Sequence, residues 1–210
     1  CQEDPWEGSA KGFCLHHAEE NGRDEETGLK VWEAARGRTG SCPVYTGWHF
    51  PKDPDSKEFD RVRFGGKAEF RHAVFATYVS FCRAVFAGDA EFADARFSGD
   101  AEFCLVKFQG RALFNRVRFA TVAKFSDAKF AEKALFNEVE FSGPAAFDGV
   151  AFCGIVEMPE TTFSSEAQFG QATFGSAARY NSATFTKNAL FHGATFTGYA
   201  SFDGVVFTGD

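Results

Sequence analysis

The sequence lacks long apolar runs, an excess of positive charge and most kinds of aromatic residue. No apolar run approaches the roughly 18 residues of a transmembrane helix, and no basic segment followed by an apolar one marks a signal peptide. Lys and Arg total 22 against 29 Asp and Glu, and the net charge of −7 disfavours nucleic acid as a partner. The 210 residues are too few for a large multidomain enzyme. We therefore expect a soluble, cytoplasmic protein with neither a membrane nor a nucleic acid as its direct partner.

Phenylalanine is the one abundant aromatic residue. It occurs 28 times, beside three Trp, four Tyr and one Met, and 26 of the 28 lie on two combs that each recur at every eleventh position. The first comb is Phe59, Phe70, Phe81, Phe92, Phe103, Phe114, Phe125, Phe136, Phe147, Met158, Phe169, Tyr180, Phe191 and Phe202. The second comb, offset by five positions, is Phe64, Phe75, Phe86, Phe97, Phe108, Phe119, Phe130, Phe141, Phe152, Phe163, Phe174, Phe185, Phe196 and Phe207. So narrow a bias indicates one structural position that is filled repeatedly, as in repeat proteins.

A small apolar residue stands two positions before each comb residue, as Ala68 does before Phe70. Only Lys57 and Thr161 depart from this rule. Alternation with a period of two is typical of a strand whose small and large side chains point to one side. A helix is excluded, because steps of five and six positions turn by about 500° and 600° and would spread Phe over all of its faces.

The steps between comb residues alternate between five and six, and the extra residue of each long step falls on the series 66, 77, 88 and onward. Eight of these 14 positions are glycine, namely Gly66, Gly88, Gly99, Gly110, Gly143, Gly154, Gly198 and Gly209. An inserted residue at a corner needs a positive φ or a bulge, which glycine adopts at the least cost. We predict that this series forms turns through such a backbone.

The repeat resembles the pentapeptide-repeat family, whose tandem fives carry a small residue, a variable one and then a central Leu or Phe. The stretch ALFNRVRFATVAKFSDAKF from Ala112 shows the pattern, and the resemblance covers residues 57–207. It implies an all-β fold, a right-handed quadrilateral β-helix with four short sides per coil. This chain departs from the family pattern in its near-exclusive use of Phe and in the residue added to every second five.

Two eleven-residue units per four-sided coil give about seven coils of about 22 residues and a rod about 34 Å long, in which each Phe stacks on the Phe one coil away. A flat coil made of a single unit is the alternative, but two Phe and two small residues would crowd so small a section. Cys82 and Cys104 test the choice, because the four-sided coil places them at one corner of adjacent coils. We expect this β-helix to span residues 57–210.

Residues 1–56 lack the combs and are expected to cap one end of the rod. The segment ETGLKVWEAARG predicts a short helix near residues 27–36 that stops at Gly37. The sequence starts at Cys1 rather than at a methionine, so we expect a processed or trimmed product.

A structural zinc ion is the candidate cofactor of this cap. Cys1, Cys14 and His17 provide three of the four ligands of a tetrahedral site, and the fourth stays open among Cys42, His16 and His49. The arrangement is similar to a short Cys/His element that precedes some bacterial pentapeptide-repeat proteins. Free cysteines, a disulfide in an oxidising compartment and a lipid-modified Cys1 are the alternatives.

An interior filled with Phe and Ala leaves no pocket for a substrate, so the sequence predicts a non-enzymatic scaffold for an unidentified protein partner. The resemblance implies an alternative, a DNA-mimicking inhibitor or protector of a type II topoisomerase such as gyrase, which needs a long acidic face. Residues 59–133 carry 13 basic and nine acidic side chains, whereas residues 134–210 carry two and eight. An enzyme that uses the N-terminal metal is the third hypothesis.

Two further expectations concern the surface and the end of the rod. Thr162, Thr173, Thr184 and Thr195 recur with the period of the combs and are predicted to form one outward column, the kind of array that orders water on ice-binding solenoids. The β-propensity of Thr is the simpler explanation. Phe207 completes the last coil, so either the protein continues beyond it or two rods meet end to end in a homodimer.

Overall fold

The structure is a computed structural model that describes residues 49–50 and 59–209. Within these residues the chain has no helix and forms 28 strands of two residues each, arranged in four parallel sheets that we call faces 1 to 4. Face 1 contains β2 (Arg63–Phe64), β6 (Val85–Phe86), β10 (Lys107–Phe108), β14 (Lys129–Phe130), β18 (Ala151–Phe152), β22 (Thr173–Phe174) and β26 (Thr195–Phe196). Face 2 contains β3 (Ala68–Glu69), β7 (Ala90–Glu91), β11 (Ala112–Leu113), β15 (Ala134–Leu135), β19 (Val156–Glu157), β23 (Ala178–Arg179) and β27 (Ala200–Ser201).

Face 3 contains β1 (His49–Phe50), β4 (Val74–Phe75), β8 (Arg96–Phe97), β12 (Arg118–Phe119), β16 (Glu140–Phe141), β20 (Thr162–Phe163), β24 (Thr184–Phe185) and β28 (Val206–Phe207). Face 4 contains β5 (Val79–Ser80), β9 (Ala101–Glu102), β13 (Ala123–Lys124), β17 (Ala145–Ala146), β21 (Ala167–Gln168) and β25 (Ala189–Leu190). The chain visits the faces in numerical order, so face 1 lies opposite face 3 and face 2 lies opposite face 4.

The coil has the predicted length of two comb periods. Phe64 pairs with Phe86 on face 1, and Ala68 pairs with Ala90 on face 2. Strands a single comb period apart, such as β2 and β4, belong to different sheets, so the flat coil is wrong. The described residues form a parallel β-solenoid of about seven coils.

Phenylalanine rings form four columns inside the coils. Rings one coil apart are stacked, with centroids between 4.4 and 5.3 Å apart and interplanar angles of 1 to 19°. The two first-comb columns meet edge to face, as between Phe70 and Phe81 at 5.6 Å and 89°. Both arrangements suit the quadrupole of the ring, so each column supports itself along the rod and its neighbour across it.

One set of corners carries the positive φ angles. The residue two places after each first-comb position has a φ between 55 and 67°, so these corners recur twice in every coil. A backbone hydrogen bond closes most of these turns, for example from Ala73 N–H to the Phe70 carbonyl at 3.1 Å. Most of these residues are not glycine, Leu105 and Arg116 among them.

Of the two roles predicted for the glycine series at 66, 88 and onward, a positive φ or a bulge, the positive φ is therefore wrong, because none of these glycines has one. A Cβ on Gly110 would lie 2.6 Å from the carbonyl carbon of Gly88, one coil away. Glycine is needed at this corner because the backbones of adjacent coils approach too closely for a side chain.

Two features interrupt the regular coil. Strand β1 pairs with β4 in a register that puts Phe50 opposite Phe75, three positions more than the regular coil, so Phe50 joins face 3 although it lies outside the combs. In the middle of the rod, Thr161 is buried and its hydroxyl donates to the Phe136 carbonyl. The hydroxyl of Tyr180 is buried and has no hydrogen-bond partner among the described residues.

The predicted cap helix at residues 27–36 lies outside the described residues. Among the residues that are described, no helix has the length and apolarity that crossing a bilayer requires.

Candidate interaction surfaces

The outward charges of face 2 are joined in ion pairs. The buried carboxylate of Glu91 binds Lys67 at 2.9 Å and also the guanidinium of Arg71. Further along the face, Glu157 lies 3.1 Å from Lys133 and 2.7 Å from Arg179. Because these charges neutralise one another, face 2 offers few free charges to a partner.

Ion pairs between adjacent coils flank this face. Arg111 contacts Asp89 at 2.6 Å, and Arg116 contacts Asp94 at 2.8 Å. Each guanidinium holds the pKa of its partner carboxyl below the ordinary range. Because the pairs are partly exposed, they add little stability and serve mainly to fix side chains across one coil step.

A polar cluster on face 4 surrounds Glu102. Its carboxylate accepts hydrogen bonds from the Tyr78 hydroxyl at 2.9 Å and from Lys124 Nζ at 2.8 Å. Burial alone would raise the pKa of Glu102, but the bonds from Lys124 and Tyr78 lower it. Burial raises the pKa of Tyr78 to about 12. At neutral pH the carboxylate is ionised and the phenol is protonated, so neither is poised for general acid–base catalysis.

Two free thiols lie beside this cluster. The N–H of Arg83, next to Cys82, donates to the carbonyl of Cys104 at 2.9 Å, which confirms that the two cysteines share a corner of adjacent coils. Burial, with a smaller contribution from Cys82, raises the pKa of the Cys104 thiol to about 12. Cys104 is therefore protonated at neutral pH and is a poor nucleophile.

The predicted threonine column does not exist as one array. Thr162 and Thr184 lie on face 3, whereas Thr173 and Thr195 lie on the opposite face 1. One comb period is half a coil, so residues at that spacing alternate between opposite sides of the rod.

The predicted zinc ligands Cys1, Cys14 and His17, and the fourth-ligand candidates Cys42 and His16, lie outside the described residues, as does the side chain of His49. Within residues 59–209 no group of three or more His, Cys, Asp or Glu side chains could hold a metal ion.

Face 1 carries a different charge pattern, with five exposed cations on its first four coils. They are Arg61, Arg63, Arg83, Lys107 and Lys129. Two positions on the opposite face 3 are also basic, Arg96 and Arg118, and Arg118 lies 3.3 Å from Glu140. The charge excess of the first half does not by itself single out face 1. The sequence signal that could have found it is the predicted coil of about 22 residues, which places positions 63, 85, 107 and 129 on one side of the rod.

Comparison with known proteins finds one family match, in the first coils of the rod. Residues 59–103 match the family model described as pentapeptide repeats (9 copies), and the coil geometry continues unchanged through Phe207. Residues 59–103 therefore carry pentapeptide repeats. No curated protein and no solved structure matches the sequence. The pentapeptide-repeat assignment therefore supports the fold, and the outward side chains must carry any argument about a partner.

Proposed function

We propose that this pentapeptide-repeat protein is a non-enzymatic scaffold whose rigid flat faces hold a protein partner. The observation that carries the proposal is that the inward side chains and the backbone groups of each strand are already used within the rod. Inward positions are filled by stacked rings and small residues, and backbone donors bond to the neighbouring coil, as Val85 N–H does to the Val62 carbonyl at 2.9 Å. Outward side chains are thus the groups left to meet another molecule.

The polar clusters support the same proposal. Glu91 is paired with two cations, and Glu102 is bound by Lys124 and Tyr78. These carboxylates therefore make contacts within the rod rather than with a partner. The Cys104 thiol is protonated at neutral pH because of its raised pKa. Pentapeptide-repeat solenoids are in general non-catalytic, which agrees with this assignment.

The charge pattern argues against the DNA-mimic alternative. A mimic of duplex DNA needs acidic side chains along the whole rod, whereas residues 59–133 carry 13 basic against nine acidic side chains. We expect no effect on gyrase supercoiling at about 10 µM protein. Inhibition or protection of gyrase at that concentration would favour the mimic over the scaffold.

The scaffold proposal is tested by placing a photo-crosslinking phenylalanine analogue on each face in turn. Suitable outward positions are Ala151 on face 1, Leu113 on face 2, Thr184 on face 3 and Ala146 on face 4. In extract of the native host, we expect one or two faces to crosslink a discrete protein, and an excess of unlabelled chain to compete. Absence of a crosslink from all four faces would contradict the proposal.

A further inference from the structure

Face 1 carries a patch of basic side chains that form no ion pair with other described residues of the rod. Its five cations are Arg61, Arg63, Arg83, Lys107 and Lys129, which lie on the strands of face 1 or two positions before them. All five are exposed. At about 4.8 Å per coil, the patch extends about 14 Å along the axis.

These cations form no ion pair within the described residues, in contrast to the basic side chains of face 2. On that face, Lys67, Lys133 and Arg179 each have a carboxylate within 3.1 Å. The carboxylate of Asp60, which precedes Arg61, is engaged by Ser80 and by the backbone N–H of Cys82 at 3.0 Å. The patch is therefore a concentration of uncompensated positive charge on a chain of net charge −7.

Most neighbours of the patch are neutral. The other outward strand residues of face 1 are uncharged, namely Val85, Ala151, Thr173 and Thr195. The residue directly after each of the first four strands of this face is also uncharged, namely Gly65, Ala87, Gln109 and Ala131. Asp127, two positions before Lys129, is the one acidic residue among the described turn positions of face 1. An anionic ligand that lies along the axis thus meets cations with little repulsion.

We propose that the basic patch of face 1 binds an extended, Asp- and Glu-rich segment of the protein partner. The inference rests on the scaffold function proposed above and names the chemistry of its partner. The backbone groups of face 1 already bond along the axis, so recognition occurs through side chains. Guanidinium and ammonium groups suit carboxylates, and about four residues of an extended peptide cover about 14 Å.

Two other polyanions fit the patch less well. Single-stranded nucleic acid is held by aromatic side chains that stack on bases, and the outward positions of face 1 that are described carry none. Leu105, 43% exposed, is the one large apolar side chain of the patch that could insert into a lipid surface. The net charge of −7 also repels a dense polyanion more strongly than it repels a short peptide.

The test is fluorescence anisotropy with a labelled dodecapeptide of alternating Glu and Ser, titrated with the full chain. Lys107→Glu/Lys129→Glu removes two cations of the patch, and Arg96→Glu/Arg118→Glu makes the same change of charge on face 3. We expect the first variant to weaken binding about 10-fold or more and the second by less than about 2-fold. A peptide of alternating Gln and Ser should not bind, and circular dichroism verifies that both variants are folded.

Three results would overturn the inference. They are no peptide binding up to about 1 mM, an equal loss in both variants, or tighter binding of a dT12 oligonucleotide or phosphatidylserine vesicles through Lys107 and Lys129. The scaffold proposal is judged separately, because crosslinking from faces 2, 3 or 4 would support it even if the peptide does not bind face 1.

Discussion

Glycine has two separate roles at the corners of the coil, one steric and one conformational. A Cβ on Gly110 would lie 2.6 Å from the Gly88 carbonyl carbon, so the side chain is excluded by the coil one step away. Gly193 has a φ of 67°, and a Cβ there would meet Gln171 Cγ at an ordinary 3.5 Å. At Gly110 a side chain is excluded by a steric clash, whereas at Gly193 it is only disfavoured by the left-handed backbone conformation.

These roles predict unequal costs for the same substitution. Gly110→Ala should lower the free energy of unfolding by about 3 kcal/mol, because two backbones must separate. Gly193→Ala should lower it by about 1 kcal/mol, the cost of a left-handed residue that carries a Cβ. Urea unfolding followed by circular dichroism measures both.

A matched control replaces a strained residue by glycine. Leu105 has a φ of 58° and its side chain is exposed, so Leu105→Gly should be neutral or stabilise the fold by up to about 1 kcal/mol. Equal losses for the two alanine variants would contradict the assignment of the two roles.

Tyr180 carries a buried hydroxyl that no group satisfies within the described residues. Burial raises the pKa of this phenol well above its ordinary value. Tyr180→Phe should raise the free energy of unfolding by about 1 kcal/mol, because it removes an unpaired polar group and keeps the ring stacked on Phe202. A loss of stability in thermal unfolding would show that the hydroxyl has a partner.

The cysteines should differ in reactivity. The pKa of Cys104 is raised to about 12 by burial, so little thiolate is present at pH 8, whereas the side chain of Cys153 is exposed. Iodoacetamide should therefore modify Cys153 at least about 10-fold faster than Cys104, as measured by mass spectrometry of peptides. Equal rates in the folded protein would contradict the raised pKa of the half-buried Cys104.

At the scale of the element, the unit of stability is the aromatic column rather than the two-residue strand. Phe114 stacks on Phe92 at 4.8 Å and on Phe136 at 5.0 Å, and it meets Phe103 edge to face at 5.5 Å. Phe202 belongs to the same column but is 40% exposed in the last coil. The column is therefore fully buried at Phe114 and partly exposed at its C-terminal end.

This gradient predicts a position-dependent cost for the loss of a ring. Phe114→Leu should lower the free energy of unfolding by about 2 to 3 kcal/mol, because it loses its stacked and edge-to-face ring contacts and leaves a void. Phe202→Leu should cost less than about 1 kcal/mol, since its ring is partly exposed. Comparable losses of unfolding free energy at the two positions in urea unfolding would contradict the claim that each ring is stabilised by its contacts with neighbouring rings.

The elements show what the sequence could and could not predict. The combs predicted the inward rings and the coil length, because burial of Phe leaves a periodic pattern. The offset of β1 was not predictable, since Phe50 lies outside both combs and its pairing with Phe75 does not follow their period. The steric role of Gly110 was not predictable, because glycine frequency does not distinguish a positive φ or a bulge from a close approach between coils.

At the scale of the whole molecule, the coil converts a linear pattern into four surfaces with different properties. Residues half a coil apart lie on opposite faces, so the four threonines divide into two pairs. Outward cations that are about one coil apart in the sequence lie next to one another on face 1, because each coil stacks on the one before it. The sequence predicted the excess of basic residues in the first half of the rod but not the face that carries them. The proposed zinc ligands remain a prediction, because they lie outside the described residues.

The distribution of charge over the molecule also predicts how binding depends on salt. The basic patch is exposed and its cations have no carboxylate partner among residues 59–209, so ions screen it readily. Peptide affinity should fall about 10-fold or more between about 50 and about 300 mM NaCl, in the same anisotropy assay. An affinity that is independent of salt would indicate an apolar contact instead.

The central claim is that Phe rings one coil apart stack inside a four-sided solenoid, and a crystal structure of the full chain tests it most directly. The predicted result is parallel stacking of Phe92 on Phe114 near 4.8 Å, with Phe103 edge to face beside them. Comb rings between Phe59 and Phe185 in solvent, or parallel stacking between rings only half a coil apart, would contradict the account.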